Sequence, residues 1–268
     1  MIPDLDWQAM ARTGQLGRRP VHFLVASSST NDVALELAKN GAASGTLVVA
    51  ESQGRGRGRL GREWLSPPEV GLYCSFILRP RLAPAELPKL TLGAGVAASR
   101  AVAAVTGSAP RLKWPNDLWL AGKKIGGILA EARFEMGAPV VILGIGLNVN
   151  TAAAAFPAEL QEKVTSLASH YGREFTRSAL LAALGDEIMA MMTRCEREGF
   201  TGILAEWRQL DATRGRELEW LTQSGAVIRG LSLGPDAEGQ LRIRDAAGTT
   251  HEVLSGDISL AVGIEPTT

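Results

Sequence analysis

The chain has few of the residues that most often build metal sites, staples or nucleophilic triads. It holds only two cysteines, Cys74 and Cys195, and three histidines, His22, His170 and His251. The cysteines have no metal-ligand spacing, and nothing in their placement asks for a disulfide. Cys74 falls in an apolar run and Cys195 on a helical stretch, so both read as buried, inert thiols. The histidines lack partners at ligand spacing and are assigned neither to metal nor to catalysis. Gly-x-Ser-x-Gly is absent, which leaves nucleophilic hydrolysis without support. Charge of one sign is also lacking. With 28 basic and 28 acidic residues there is no overall field to draw nucleic acid or an anionic membrane. No apolar run reaches the roughly 18 residues of a membrane span. Met1–Gln8 lacks the basic start and apolar core of a signal peptide. A cytoplasmic protein is expected.

What is there concentrates in residues 51–66. Arg55, Arg57, Arg59 and Arg62 alternate with Gly54, Gly56, Gly58 and Gly61, just before Trp64. Glycine lets a backbone approach a ligand closely, and guanidinium groups match carboxylate and phosphate oxygens two at a time. In a chain of zero net charge this cluster is a site rather than part of a basic surface. It is not a Walker A loop, because the Gly-Lys-Ser/Thr ending is missing. Nor is it a dinucleotide fingerprint, since no acidic residue follows at the required distance. On these residues alone, a non-catalytic nucleotide- or RNA-binding module remains open.

The flanking pattern is that of an α+β protein. Strands are expected at 21–25, 46–50, 72–78 and 140–149, with a hairpin formed by 111–114, 118–120 and 125–134. Helices are expected at 32–39, 87–105, 166–170, 176–198 and 201–210. The polar run Ser27–Asn31 stands where a helix cap is needed, and Gly41 and Gly107 stand where helices close. After residue 213 the texture changes to short strands at 217–221, 227–231, 240–244 and 251–254, separated by Gly- and Asp-containing turns. That reads as a small antiparallel barrel or sandwich. Two domains follow, residues 1–213 and 214–268.

Three further constellations carry chemistry. In Lys113-Trp114-Pro115-Asn116-Asp117, proline presents an amide and a carboxylate at the head of a strand. Asp117 offers oxygen to Mg²⁺. Across the hairpin, Gly122-Lys123-Lys124-Ile125-Gly126-Gly127-Ile128 would bring Lys124 near Lys113. In Gly144-Ile145-Gly146-Leu147-Asn148-Val149-Asn150, glycines inside a strand mean a bulge or a close backbone approach. Taken singly, this last segment and Ser29-Thr30-Asn31 are explained by a bulge and a helix cap.

Together these segments resemble the biotin protein ligases. Ser29-Thr30-Asn31, Gln53 with Gly56-Arg57-Gly58-Arg59-Leu60-Gly61-Arg62-x-Trp64, the Lys113–Asp117 motif, Gly122–Leu129 with Glu131, and Gly144–Asn150 occur in family order. The resemblance covers about residues 20–265. It implies a mixed-sheet catalytic domain of the biotin/lipoate ligase type with a small C-terminal SH3-like β-barrel. It implies an enzyme that makes biotinyl-5′-AMP from biotin and MgATP, then transfers biotin to a lysine of a carboxylase carrier domain.

By the same resemblance, Ser29, Thr30, Asn31 and Gln53 bind biotin, with Arg57, Gly58 and Arg59 closing over its tail and the phosphate. Lys124 is the main catalytic cation, assisted by Arg59. Lys113, Asn116, Asp117 and Asn148 serve ATP, and Asp117 the Mg²⁺. Trp64 shields the adenylate from water, and Asp117 is a candidate general base. No role is assigned to Arg55. Only residues 1–20 precede the first strand, so the resemblance is to ligases without a DNA-binding domain, and neither nucleic acid nor membrane is expected as a partner. Edge strands of the main sheet offer pairing into a homodimer. A lipoate-protein ligase, sharing the adenylation logic, is the nearest alternative; the Gly-Arg loop and the C-terminal barrel favour biotin.

Overall fold

The structure, a computed structural model, describes residues 19–135, 137–222, 226–253 and 257–260. The reading of Met1–Gln8 and the end of the strand expected at 251–254 lie outside the described residues.

Seven strands form the main sheet: β1 (Val21–Leu24), β2 (Leu47–Ala50), β3 (Gly71–Leu78), β4 (Arg111–Lys113), β5 (Asp117–Leu120), β6 (Lys123–Glu135) and β7 (Ala138–Asn148). Their spatial order is β1-β2-β3-β7-β6-β5-β4. β1 and β2 run parallel and the remaining neighbours antiparallel, so the sheet is mixed.

The central strands are apolar throughout because both faces are covered. Helix α1 (Thr30–Lys39) crosses from β1 to β2 and packs Ala34 and Ala38 on Val48, Ile77, Val140 and Ile142. The alternate residues, among them Val49, Phe76, Leu143 and Ile145, face the other way into the larger core. There lie α2 (Lys89–Thr106), α5 (Arg177–Glu198) and α6 (Thr201–Leu210), with the shorter α3 (Ala158–Gln161) and α4 (Leu167–Tyr171) in the connection before them. α2 and α5 approach closely at Gly93, where an added Cβ would lie 3.0 Å from the Met191 sulfur. Gly107, at φ 84°, ends α2 in the left-handed conformation.

The expected boundaries of the long helices hold to within a residue or two. α1 begins at Thr30, two residues before the expected Asp32. Thr30 and Asn31 belong to its first turn, and the Ser29 side chain makes no capping bond. The Thr30 amide instead donates to Gln53 Oε1 at 2.8 Å, a cap supplied from beyond β2.

β8 (Glu217–Leu221), β9 (Val227–Pro235), β10 (Leu241–Arg244), β11 (Thr250–Val253) and β12 (Asp257–Leu260) form the antiparallel sheet of the C-terminal SH3-like domain, in the order β11-β10-β9-β8-β12. The sequence reading contains no counterpart of β12. Leu218, Leu241, Ile243 and Val253 join the larger core of the first domain. Arg208 of α6 donates to the carbonyls of Pro235 and Asp236, each at 2.9 Å.

Candidate active site

The register of the main sheet builds the floor of a cavity on the face that carries α1. Tyr73, Gly146, Gly127, Asp117 and Lys113 stand directly opposite one another across β3, β7, β6, β5 and β4. The next row holds Ser75, Gly144 and Leu129. Farther along the same face of β7 the side chains are Val140 and Ile142, packed under α1. The apolar layer thus gives way to glycine where α1 begins. A Cβ on Gly144 would run into the Asn31 carboxamide, and one on Gly146 into the Trp64 indole. The glycines are there for close approach of side chains over the sheet.

Eleven of the twelve expected site residues line this cavity: Ser29, Thr30, Asn31, Gln53, Arg57, Gly58, Arg59, Lys113, Asn116, Asp117 and Lys124. The twelfth, Asn148, is buried beside it, and its amide donates to the Thr165 carbonyl at 3.1 Å. The lining carries five cations, Arg57, Arg59, Arg62, Lys113 and Lys124, against Glu63 and Asp117. A chain of zero net charge therefore holds a locally positive cavity, suited to anions.

At one end the polar groups form a buried chain. Gln53 Oε1 accepts from Thr30 N at 2.8 Å and Thr30 Oγ1 at 3.1 Å, while Gln53 Nε2 donates to Ser66 Oγ at 2.8 Å. The Ser75 hydroxyl lies 2.8 Å from Thr30 Oγ1 and 2.6 Å from Asn31 Oδ1. Ser75 was missed by the sequence reading. Its only signal there is a lone serine in the apolar run of β3.

The Gly-Arg segment folds back on itself. Trp64 N donates to Gly56 O at 2.8 Å and Gly58 N to Arg62 O at 2.7 Å. The tip turns through Leu60 at φ 58° and Gly61 at φ 73°. Trp64 is thereby laid over Gly146 and Gly127, and its buried Nε1 has no hydrogen-bond partner among the described residues. That is a donor at the cavity wall aimed at no acceptor among them.

At the other end, Lys124 Nζ lies 2.7 Å from Asp117 Oδ1 and 5.4 Å from the centre of the Trp64 ring. Lys113 Nζ sits 4.8 Å from the centre of the Trp119 ring. Both lysines reach the cavity, but the register sets Lys113 across from Asp117 and Lys124 across from Trp119. Asp117 is thus the strand neighbour of Lys113 and the ion-pair partner of Lys124. Asn116 is spent on the backbone, its amide donating to Ile128 O at 2.9 Å. Trp114 Nε1 donates to Gly239 O at 2.9 Å, tying the same motif to the C-terminal domain. Cys74 lines the cavity, but burial pushes its thiol up to about 12, so it is neutral and no nucleophile. Among the described residues, no three His, Cys, Asp or Glu side chains cluster as metal ligands.

The sequence matches the biotin/lipoate A/B protein ligase family over residues 24–150. It is 38% identical over 238 residues to the bifunctional ligase/repressor BirA of Bacillus spizizenii, covering 87% of this chain and 71% of that one. To the biotin–[acetyl-CoA-carboxylase] ligase of Mycobacterium tuberculosis it is 32% identical, over 90% of this chain and 89% of the relative. The fold superimposes on the biotin protein ligase of Aquifex aeolicus, solved with biotin and ATP, with a TM-score of 0.78, 31% identity, and coverage of 90% and 98%. Shared sequence along most of both chains and a shared arrangement of both domains lead to one conclusion: this chain belongs to the biotin protein ligase family.

Proposed function

We propose that the protein joins biotin to ATP as biotinyl-5′-AMP and then hands the biotinyl group to a lysine of a carboxylase carrier domain. The observation that carries this reading is the glycine-floored, cationic cavity, closed at one end by the Thr30–Gln53–Ser75 network and at the other by Lys124 and Asp117. Relatives with the same fold were solved with biotin and ATP, in Aquifex aeolicus, and with biotinylated ATP, in Helicobacter pylori.

In the first step a biotin carboxylate oxygen bonds to the α-phosphorus as the bond to the bridging oxygen breaks, and pyrophosphate leaves. Two anions must meet, and the barrier is largely their repulsion. Lys124, Arg59 and Lys113 supply fixed positive charge where negative charge gathers. The network at the head of α1 holds the uncharged end of biotin, which turns a bimolecular encounter into an aligned one. Trp64 covers the site, excludes water from the mixed anhydride, and offers its unpartnered Nε1–H to a ligand acceptor. In the second step the carrier lysine's neutral amine attacks the acyl carbon. AMP departs, one proton is lost, and an amide remains.

One carboxylate, Asp117, with nucleotide phosphates is the donor set that suits Mg²⁺. Asp117 would hold such an ion, which supplies charge neutralisation to the phosphates. Asn116 and Asn148 support the nucleotide end from behind through their backbone bonds. We place the domain boundary at residue 213, beside Asp211 and Thr213 at the turn into β8, and the enzyme in the cytoplasm. Among the described residues no helix is long and apolar enough to cross a membrane. Among the described residues, 130–135 of β6 pair with β7 alone, and we propose this open edge as the place where two copies meet.

The deciding experiment is pyrophosphate release from MgATP by the purified chain with biotin, lipoate or neither. Release with biotin alone is expected. Release with lipoate alone would assign the cavity to that acid, and release with neither would overturn the adenylation reading.

A further inference from the structure

Arg57 is expected from its motif to grip the substrate, yet its guanidinium is engaged elsewhere. Nη1 donates to Glu131 Oε1 at 3.1 Å and Nη2 to Glu131 Oε2 at 2.7 Å, a two-pronged pair. Nη2 also lies 2.8 Å from Asp32 Oδ1. One cation is thus shared by two carboxylates, and the trio carries a net negative charge. An anion gains nothing electrostatically by approaching it.

Glu131 is not in the lining of this cavity but in that of an adjoining one, which shares Arg57, Gly58 and Arg59 with it. It stands on β6 opposite Ile142, in the strand row beyond Gly144. Its Oε2 accepts a further bond from Asn31 Nδ2 at 2.8 Å. Both oxygens are therefore occupied, by two separate parts of the site: the first turn of α1 and the Gly-Arg segment. Asp32, next to Asn31, closes the same triangle. The planar fork of arginine matches a carboxylate in one orientation only, so this contact fixes the direction of the segment as well as its distance.

We infer that Glu131 is a positioning residue of the ligase reaction. Through Arg57 it locks the Gly-Arg segment onto the head of α1, so that Trp64 and Arg59 stay over the bound adenylate. Arg57 acts through this carboxylate and not on the substrate. The inference rests on the proposed biotin activation and deepens it by separating the arginine that anchors the segment from those that face the ligand.

The test is a double-mutant cycle on the full chain with Glu131→Gln, Arg57→Met and both together. Three quantities are read: biotin-dependent ATP–pyrophosphate exchange, the biotin KM, and the rate at which radiolabelled biotinyl-adenylate leaves the enzyme. Each single change is expected to speed adenylate loss by about tenfold and raise the biotin KM, with kcat of exchange within about threefold of the original. The double variant should fall little below the worse single one, because both changes break the Arg57–Glu131 link. A merely structural pair would shift the melting temperature and leave adenylate retention unchanged, and that result overturns the inference. So does an Arg57→Met defect far larger than that of Glu131→Gln, or effects that multiply, since either means that Arg57 touches the ligand. The unaltered chain separates the two levels. If it shows no biotin-dependent exchange, the proposed function and this inference fall together; if it exchanges normally, the variants judge the inference alone.

Discussion

Arg177 is the first residue of α5 and only 1% exposed, an extreme for a charged side chain. Its Nη1 donates to Glu51 Oε2 at 2.8 Å and to Gly71 O at 3.1 Å, and its Nη2 to Glu51 Oε1 at 3.0 Å. Glu51 Oε2 also accepts from Glu69 N at 3.1 Å. Glu51 directly follows β2 and Gly71 opens β3, so one guanidinium joins both ends of the connection that carries the Gly-Arg segment. Arg177→Met keeps most of the volume but removes the hydrogen bonds just named. It leaves a buried carboxylate whose remaining partner is the Glu69 amide. Breaking such a pair from one side destabilises by about 3–5 kcal/mol. In a chain of this size that lowers the melting temperature by about 6–20 °C, at about 2–4 °C per kcal/mol. Urea titration followed by tryptophan fluorescence gives the free energy directly. Adding Glu51→Leu to the same chain removes the stranded charge and should reduce the loss to about 1–3 kcal/mol, the cost of the backbone groups left unpaired. A loss below about 1 kcal/mol for Arg177→Met, as for an exposed pair, would refute the reasoning. So would a double variant less stable than the single one.

Gly146→Ala places a methyl group against the Trp64 indole; the overpacking costs about 1–3 kcal/mol, the indole moves into the cavity, and the biotin KM rises, which steady-state exchange kinetics would detect or deny. Lys124→Ala removes the cation paired with Asp117 and should lower biotin-dependent exchange at least about a hundredfold, with an unchanged circular dichroism spectrum; near-normal turnover would remove Lys124 from the chemistry. Burial holds the Asp211 carboxyl above its ordinary value, although Thr213 and Arg214 donate to it. A raised folded pKa means that the native chain binds the extra proton, so this contribution is full below the ordinary carboxylate range and is lost as pH rises through the folded value. Asp211→Asn abolishes that titration, and its urea midpoint relative to the original chain should improve from about pH 4 to pH 7; a constant difference would show that Asp211 does not titrate as described.

The amino-acid sequence by itself determined the parts that depend on neighbours along the chain. Apolar spacing marked α2, α5 and α6, and Gly107 marked where α2 stops, because helix periodicity and termination are local. Residue type and order marked Arg57, Arg59, Lys113, Asp117 and Lys124, since only such groups manage phosphate and carboxylate charge. The family resemblance rested on the same segments, and the relatives of like sequence and fold bear it out. Tertiary structure alone decided which of these residues meet. Gln53 caps a helix that began before β2, Ser75 reaches Thr30 from a strand interior, and Glu131 joins Asn31 to Arg57 across long stretches of chain. The glycine floor exists only because the register sets Gly127 against Gly146. That register also sets Asp117 beside Lys113, in reach of Lys124 as well. Such pairings follow from strand order and sheet faces, which are fixed by burying one common core, and no local pattern encodes them.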